Sequence, residues 1–418
     1  MSGSIKLKHA SGNGVIISAP STNPSSDKTI TLPSDESGTF ATKDSTNNLQ
    51  NISSINGGTI GTKNLLINGG HNIAQRGTAA VTVTGSATYR CVDRWKTDID
   101  GSGGGDFSHA QSTDVPDGQG FTNSSKITIV TQASQPTSEG NRNQLYYQLE
   151  KQDVAQLCWG TSSAKTCTLS FWVKGSITGV YPLWFQYYSS GGNQYFYTNY
   201  TISAANTWEK KTITLTGPTS GGTVSGATAV GFRIEWGLGY GSDSETGALN
   251  TWVTSGVTTV RTAAGSVYLP ENAGATWYLT GCQFEVGSVG TAFQFKSFAE
   301  ELTLCQRYYY LHAKQTGSLG ADTKPIMTAA QYTSTQAYGV IYFPVRMRTT
   351  PTLEQVTGTN FFRGFSDGNA NSFDSFSGTR LESHMVEIRA DGISRTQTDA
   401  VFIRTNLNTS ELAFSAEL

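Results

Sequence analysis

Thr166-Cys167-Thr168-Leu169-Ser170-Phe171-Trp172-Val173-Lys174 alternates with a period of two. Leu169, Phe171 and Val173 fall on one face of a strand and Ser170, Trp172 and Lys174 on the other, because successive strand side chains point to opposite faces. An apolar face of this kind has to be covered by a second sheet. The stretch therefore predicts a β-sandwich.

The same pattern recurs on both sides of it. Between Asn64 and about Phe295, further strands are expected at Lys126–Thr131, Leu183–Tyr188, Tyr195–Ile202, Lys210–Thr216, Val230–Trp236 and Trp277–Val286, separated by turn-rich loops. Gly101–Gly105 and Ser189–Gly192 read as loop tips, and Gly237–Ala264 as a long extended loop. At Ser297–Gln306 the period changes: Phe298, Leu302 and Cys305 share a helical stripe, and Ser297 with Glu300 has capping-box spacing. Alternation resumes from Arg307, in Tyr338–Val345, Met385–Arg389 and Ala400–Arg404, and predicts a second, smaller sandwich. Residues 1–60 carry short alternating runs with few large apolar residues, too little for a core of their own. They are expected to dock on copies of themselves or on a neighbouring protein. Leu49, Ile52 and Ile55, spaced by three, allow a short helix or a packed connector. The reading is all-β: a strand-rich docking segment (1–60), a central sandwich (61–297), a helical connector (298–306) and a C-terminal β-sandwich (307–418).

Composition narrows the function. Only 14% of the 418 residues are charged and the formal net charge is −2, which gives no basic footprint for nucleic acid. The N-terminal run MSGSIKLKHAS lacks the apolar core of a secretion signal, and no stretch approaches the length of a membrane span. Synthesis in a cytoplasm without membrane insertion is the expectation. Five scattered cysteines form no CxxC pair, so buried free thiols are expected.

Three stretches resemble tail-fibre and receptor-binding proteins of tailed bacteriophages: Asn64–Arg76 (NLLINGGHNIAQR), Ala292–Tyr310 (AFQFKSFAEELTLCQRYYY) and Pro344–Leu353 (PVRMRTTPTL). The first, with Tyr89–Trp95 (YRCVDRW), resembles the opening of a jelly roll similar to carbohydrate-binding modules, and Gly281–Tyr310 resembles its close. Thr207–Gly217 (TWEKKTITLTG) is similar to a strand at the edge of such a module. The resemblance implies a homotrimeric fibre of the virion tail. Its N-terminus would attach to tail adaptor or nozzle proteins through Thr29–Thr42, with Ile30, Leu32 and Phe40 as docking residues. Its outer part would bind host polysaccharide or lipopolysaccharide.

Sugar rings are recognised by flat aromatic surfaces with polar neighbours. Trp184, Gln186 and Tyr188 share one strand face, with Tyr195 and Tyr197 on the next expected strand, while Trp236, Tyr240 and Trp252 lie in or beside the long loop. These seven aromatics, Trp184, Tyr188, Tyr195, Tyr197, Trp236, Tyr240 and Trp252, are the candidate ligand-binding residues. Burial inside the sandwich or against a neighbouring subunit is the alternative for Trp184, Tyr188, Tyr195 and Tyr197, and covering the sandwich edge is the alternative for Trp236, Tyr240 and Trp252.

Catalytic signals are weak. Asp93, Asp98, Asp100, Asp106, Glu235 and Glu285 could supply the two facing carboxylates of a glycosidase, but spacing pairs none of them. Glu285 sits where similar jelly rolls can hold a structural calcium, with no clustered oxygen ligands around it in the sequence. No other cofactor or metal is expected. The five histidines are far apart, and no serine lies in a GxSxG elbow. An adhesin rather than an enzyme is expected. The rivals are a glycan-depolymerising tailspike and a tail or baseplate connector that never meets the host.

Overall fold

The computed structural model describes residues 64–418, except 86, 101–103, 139, 245–248, 255–261, 317–322 and 408, together with the backbone of short strands between residues 4 and 59. The chain forms two compact units, Met1–Gly61 and Thr62–Leu418.

In the first unit β1 (Ser4–Lys8) pairs antiparallel with β2 (Gly14–Ser18), β3 (Thr42–Lys43) with β4 (Leu49–Gln50), and β5 (Ser54–Ile55) with β6 (Gly58–Thr59). Of the two alternatives near Leu49–Ile55, a short helix or a packed connector, the helix is corrected: Leu49–Gln50 and Ser54–Ile55 are paired strands. Asn56-Gly57 stands between β5 and β6, and Asn-Gly is a strong hairpin signal that outweighs a spacing of three over so short a run. The docking residues Ile30, Leu32 and Phe40 lie outside the described residues.

The second unit opens with thirteen strands: β7 (Val81–Val83), β8 (Thr88–Tyr89), β9 (Trp95–Asp100), β10 (Phe107–Ser112), β11 (Ser124–Ile129), β12 (Arg142–Glu150), β13 (Cys167–Gly175), β14 (Gly179–Ser189), β15 (Gly192–Ile202), β16 (Glu209–Leu215), β17 (Val230–Tyr240), β18 (Trp252–Thr254) and β19 (Thr276–Val286). A four-residue helix, α1 (Lys151–Val154), follows β12. The strands form a six-stranded sheet, β16-β13-β19-β11-β10-β7, and a seven-stranded sheet, β18-β15-β14-β17-β12-β9-β8. The chain crosses repeatedly from one sheet to the other, the connectivity of a jelly-roll sandwich. Leu169, Phe171 and Val173 of β13 are fully buried and share one core with Leu183, Phe185 and Tyr187 of β14 and Phe232, Ile234 and Trp236 of β17.

Helix α2 (Phe298–Gln306) follows, and its N-cap Ser297 accepts from the Glu300 N–H at 3.2 Å. The expected apolar stripe is corrected: Phe298 is 64% exposed, and the buried pair one turn apart is Glu301 and Cys305. The Glu301 carboxylate turns inward because it accepts from the Asn68 N–H at 2.5 Å. Ten further strands complete the chain: β20 (Tyr309–Lys314), β21 (Pro325–Gln331), β22 (Gln336–Tyr342), β23 (Thr352–Gln355), β24 (Phe362–Ser366), β25 (Asn369–Phe373), β26 (Phe376–Leu381), β27 (Met385–Asp391), β28 (Ala400–Thr405) and β29 (Glu411–Ser415). They form a three-stranded sheet, β20-β29-β23, and a seven-stranded sheet, β25-β24-β28-β21-β22-β27-β26, around a separate core. No helix among the described residues is long and apolar enough to cross a membrane, and all five cysteines are free, four of them buried.

The segments that resembled phage fibres build two joints. At the first, the Asn64 side chain donates to the Cys282 carbonyl at 2.9 Å and accepts from the Phe284 N–H at 3.0 Å, clasping the start of the jelly roll to β19. A Cβ on Gly69 would lie 2.1 Å from the Cys282 oxygen, so the chain passes β19 there only without a side chain. The second joint ties the two sandwiches. Arg307 makes a bidentate pair with Glu150, both bonds at 2.9 Å, and Tyr308 donates to the same carboxylate at 2.5 Å. Arg94, 1% exposed, donates to Glu417 at 2.5 Å and to the Gln148 carbonyl at 2.8 Å, with its guanidinium 3.5 Å from the Tyr308 ring centre. Arg76 stacks on Tyr309 in the same way, also at 3.5 Å.

His71 and His109 meet inside the jelly roll. His71 Nδ1 lies 2.8 Å and His109 Nε2 3.0 Å from the Ser125 hydroxyl, with all three residues fully buried. Burial pushes both rings below the usual range, His109 to about 3. A histidine whose folded pKa is depressed stabilises nothing above the unfolded pKa of about 6.5, and it costs stability as pH falls below that, because only the unfolded chain takes up the proton. Asp93, which burial pushes up to about 6, works in the opposite sense between that value and the unfolded carboxylate range. His109→Gln is therefore expected to flatten the acid limb of stability between about pH 6.5 and 4 by up to about 1.4 kcal/mol per pH unit. Urea unfolding at stepped pH measures the slope, and parallel limbs for parent and variant would refute the assignment.

Candidate functional site

The outward face of the seven-stranded jelly-roll sheet gathers five of the seven candidate aromatics. Because Leu183, Phe185 and Tyr187 face the core, Trp184, Gln186 and Tyr188 face out. Register then places Tyr197 and Glu235 on either side of Trp184, Tyr146 beyond Glu235, Lys96 beyond Tyr146 and Tyr89 at the edge. The next row runs Val253, Tyr195, Gln186, Arg233 and Gln148. Two rows of aromatic and polar side chains thus cross the sheet at right angles to the strands.

Trp184, Tyr195 and Tyr197 form an aromatic cluster with ring centres 5.7 to 6.0 Å apart, the two tyrosines within 6° of parallel. Tyr240 joins it by a backbone irregularity. The register of β12 on β17 shifts between Asn143 and Gln144, and Tyr240 folds back over Gly237, where a Cβ would stand 2.6 Å from its ring. Its hydroxyl accepts from Trp184 Nε1 at 3.0 Å and donates to Glu235 at 3.2 Å. Trp184, Tyr197 and Tyr240 are buried in this cluster, while Tyr188 and Tyr195 remain half-buried at its surface. Gln186 links those two, accepting from the Tyr188 hydroxyl at 2.9 Å and donating to Tyr195 at 3.2 Å.

Sequence reasoning missed the basic partners of the face. Arg233 pairs with Glu235 and sits 3.7 Å from the centre of the Tyr146 ring. Burial pushes the Glu235 carboxyl up against the pull of Arg233 and Arg142, and burial together with Arg233 pushes Lys96 down. The signal was present: if Phe232, Ile234 and Trp236 face inward, Arg233 and Glu235 must face outward.

Two candidates lie elsewhere. Trp236 is fully buried between Trp95 and Phe171 in the core, and the segment Gly237–Tyr240, expected as the start of a loop, is the end of β17. An inward position on a sandwich strand leaves Trp236 no surface for a ligand. Trp252 packs on Trp159 and Phe196 at the sandwich edge and donates to the Thr216 carbonyl at 2.7 Å, beside a groove of about 370 Å³.

The carboxylates are each committed locally. Asp93 accepts from Gln75, Asp98 from Gln144, Asp106 from Thr131, and Asp100 pairs with Arg142. Glu285, the residue considered for calcium, accepts from Thr291 N–H, Thr291 hydroxyl and Gln283 at 2.6 to 2.9 Å. Among the described residues no group of three His, Cys, Asp or Glu side chains is placed to hold a metal ion.

No family model matches the chain, and no curated protein does. Among solved structures, the enzymatically active domain of bacteriophage CBA120 tailspike protein 4 is 13% identical with a TM-score of 0.27, over 54% of this chain and 21% of that one. The chain therefore spans about a fifth of that tailspike domain. A putative sugar-binding protein from Bacteroides thetaiotaomicron is 12% identical over 54% of this chain and all of its own, with a TM-score of 0.31. The family 11 carbohydrate-binding module of Clostridium thermocellum Lic26A-Cel5E is 12% identical over 50% of this chain and 98% of its own, with a TM-score of 0.26. The β-sandwich assignment rests on the strand order of this chain and not on these likenesses.

Proposed function

We propose that this chain is a tail-fibre-type adhesin of a tailed bacteriophage, whose jelly roll binds a polysaccharide or lipopolysaccharide of the host surface without cutting it. The observation that carries the reading is the outward face of the seven-stranded sheet. Half-buried Tyr195 packs on the buried cluster of Trp184, Tyr197 and Tyr240, and Gln186 joins it to half-buried Tyr188, next to Arg233 and Lys96. A pyranose offers an apolar ring face to tyrosines and hydroxyls to polar neighbours. The buried side-chain oxygens of Gln144 and Gln148 have no partner among the described residues and can accept from such hydroxyls. The reading as binding rather than hydrolysis is supported by Asp93, Asp98, Asp100, Asp106 and Glu285, each engaged by a neighbour of its own. The strand-rich unit Met1–Gly61 is assigned to attachment on the virion tail, and the fibre to a homotrimer, in which three weak sites gain avidity from one another.

The test is binding of the full chain to host cells before and after enzymatic removal of surface polysaccharide, with an assay for released sugar. Tyr195→Ala and Arg233→Ala are each expected to weaken binding about tenfold. Release of oligosaccharide would make the chain a depolymerase, and unchanged binding after polysaccharide removal would exclude the glycan.

A further inference from the structure

We infer a second ligand site on the opposite sheet of the jelly roll, a cavity of about 230 Å³ suited to one carboxylate-bearing sugar ring. It opens on the outward face of the six-stranded sheet and is independent of the Arg233 face. Phe121, Phe293 and Phe295 pack at 4.9 to 5.2 Å between ring centres, and Trp172 lines the same space. Gly281, at φ +63°, makes room for them: a Cβ there would stand 2.6 Å from Phe121 and 3.0 Å from Trp172. These rings form an apolar wall that packing holds in place, so little freedom is lost when a ring ligand settles on it.

Gln283 and Thr291 at that wall bond to each other and to Glu285, but three other polar groups there are unengaged among the described residues. The Ser170 hydroxyl, 3% exposed, points into the cavity region without a hydrogen-bond partner. Leaving such a group unpaired is costly, which marks it as a contact waiting for a ligand or solvent. Among the described residues, Trp172 Nε1 has no acceptor and Lys210, directly across from Trp172 on β16, has no anionic partner. No carboxylate lines the cavity. An indole N–H and an ammonium only donate, so the complementary ligand is rich in acceptors and carries negative charge. The volume lies below the roughly 300 to 1,000 Å³ of drug-sized sites, which limits the occupant to a single ring.

The experiment titrates the isotope-labelled full chain with methyl β-D-glucuronide and, separately, methyl β-D-glucoside, following the indole N–H resonances of its eight tryptophans. Trp172→Phe identifies the Trp172 signal. The glucuronide is expected to shift that signal saturably, and the glucoside to bind about fivefold more weakly. Lys210→Gln is expected to erase the difference while Ser170→Ala weakens both sugars. The other indole signals verify that each variant is folded. Tyr195→Ala leaves the titration unchanged, so failure of the adhesin face and failure of this site are read separately. No shift of the Trp172 signal at any sugar concentration overturns the site, and equal affinity for the two sugars overturns the carboxylate.

Discussion

Arg94→Ala is expected to lower the stability of the second unit by about 3 kcal/mol and to let the two sandwiches melt separately. Arg94 is 1% exposed, and its ion-pair partner Glu417 is 6% exposed, so solvent screens the pair little. Removing the guanidinium leaves a buried carboxylate whose remaining partner, Arg76, stands 3.4 Å away, and it also strips the Gln148 carbonyl and the Tyr308 ring of their contacts. Arg94 holds a left-handed backbone, φ +75°, a conformation that persists only where surrounding contacts over-determine it. Arg94→Gly loses the same contacts but relieves that strain, so it is expected to be about 1 kcal/mol less harmful than Arg94→Ala. Calorimetry reads both effects. A single transition with less than about 1 kcal/mol lost would show that the joint is held by apolar packing instead.

Gly69→Ala is expected to cost about 4 kcal/mol or more. The new Cβ would stand 2.1 Å from the Cys282 carbonyl oxygen. That oxygen cannot retreat cheaply, since it accepts from Asn64 at 2.9 Å while the Cys282 N–H donates to the Gly69 carbonyl at 2.9 Å. The neighbouring Gly70→Ala is the control, because its Cβ would find its closest atom at an ordinary 3.5 Å. Urea unfolding of the two variants should differ by several kcal/mol, and equal midpoints would mean that β19 shifts to make room.

The β-sandwich was legible because long strands on an amphipathic sheet repeat a two-residue signal, as in β13, β17 and β27. Shorter strands were not: β7 and β8 have three and two residues, too few to show a period. Strand β12 was missed although Leu145, Tyr147 and Leu149 alternate with Gln144, Tyr146 and Gln148, because the adjacent Tyr146-Tyr147 blurs the two faces; the burial of eight of its nine positions shows only in the structure. The candidate face was half legible. Alternation places Trp184, Tyr188 and Tyr195 on a strand surface, but it cannot say that Tyr240 returns over Gly237, since that depends on a shift in the register of another strand. Trp236 was misplaced by composition: the glycines after it look like a loop, yet Gly237 and Gly239 are small to admit the rings of Tyr240 and Tyr268.

The clasp between Asn64 and β19 also bears on how the molecule assembles. Its contacts join residues separated by 218 and 220 positions, and the Arg94–Glu417 pair spans 323. Ring closures of that length form late, after most of the chain entropy has been surrendered. Until they form, the paired sheets expose unfinished edges that can join those of another chain. Refolding slower than that of a sandwich closed by residues near in sequence is the expected kinetic signature of such a closure.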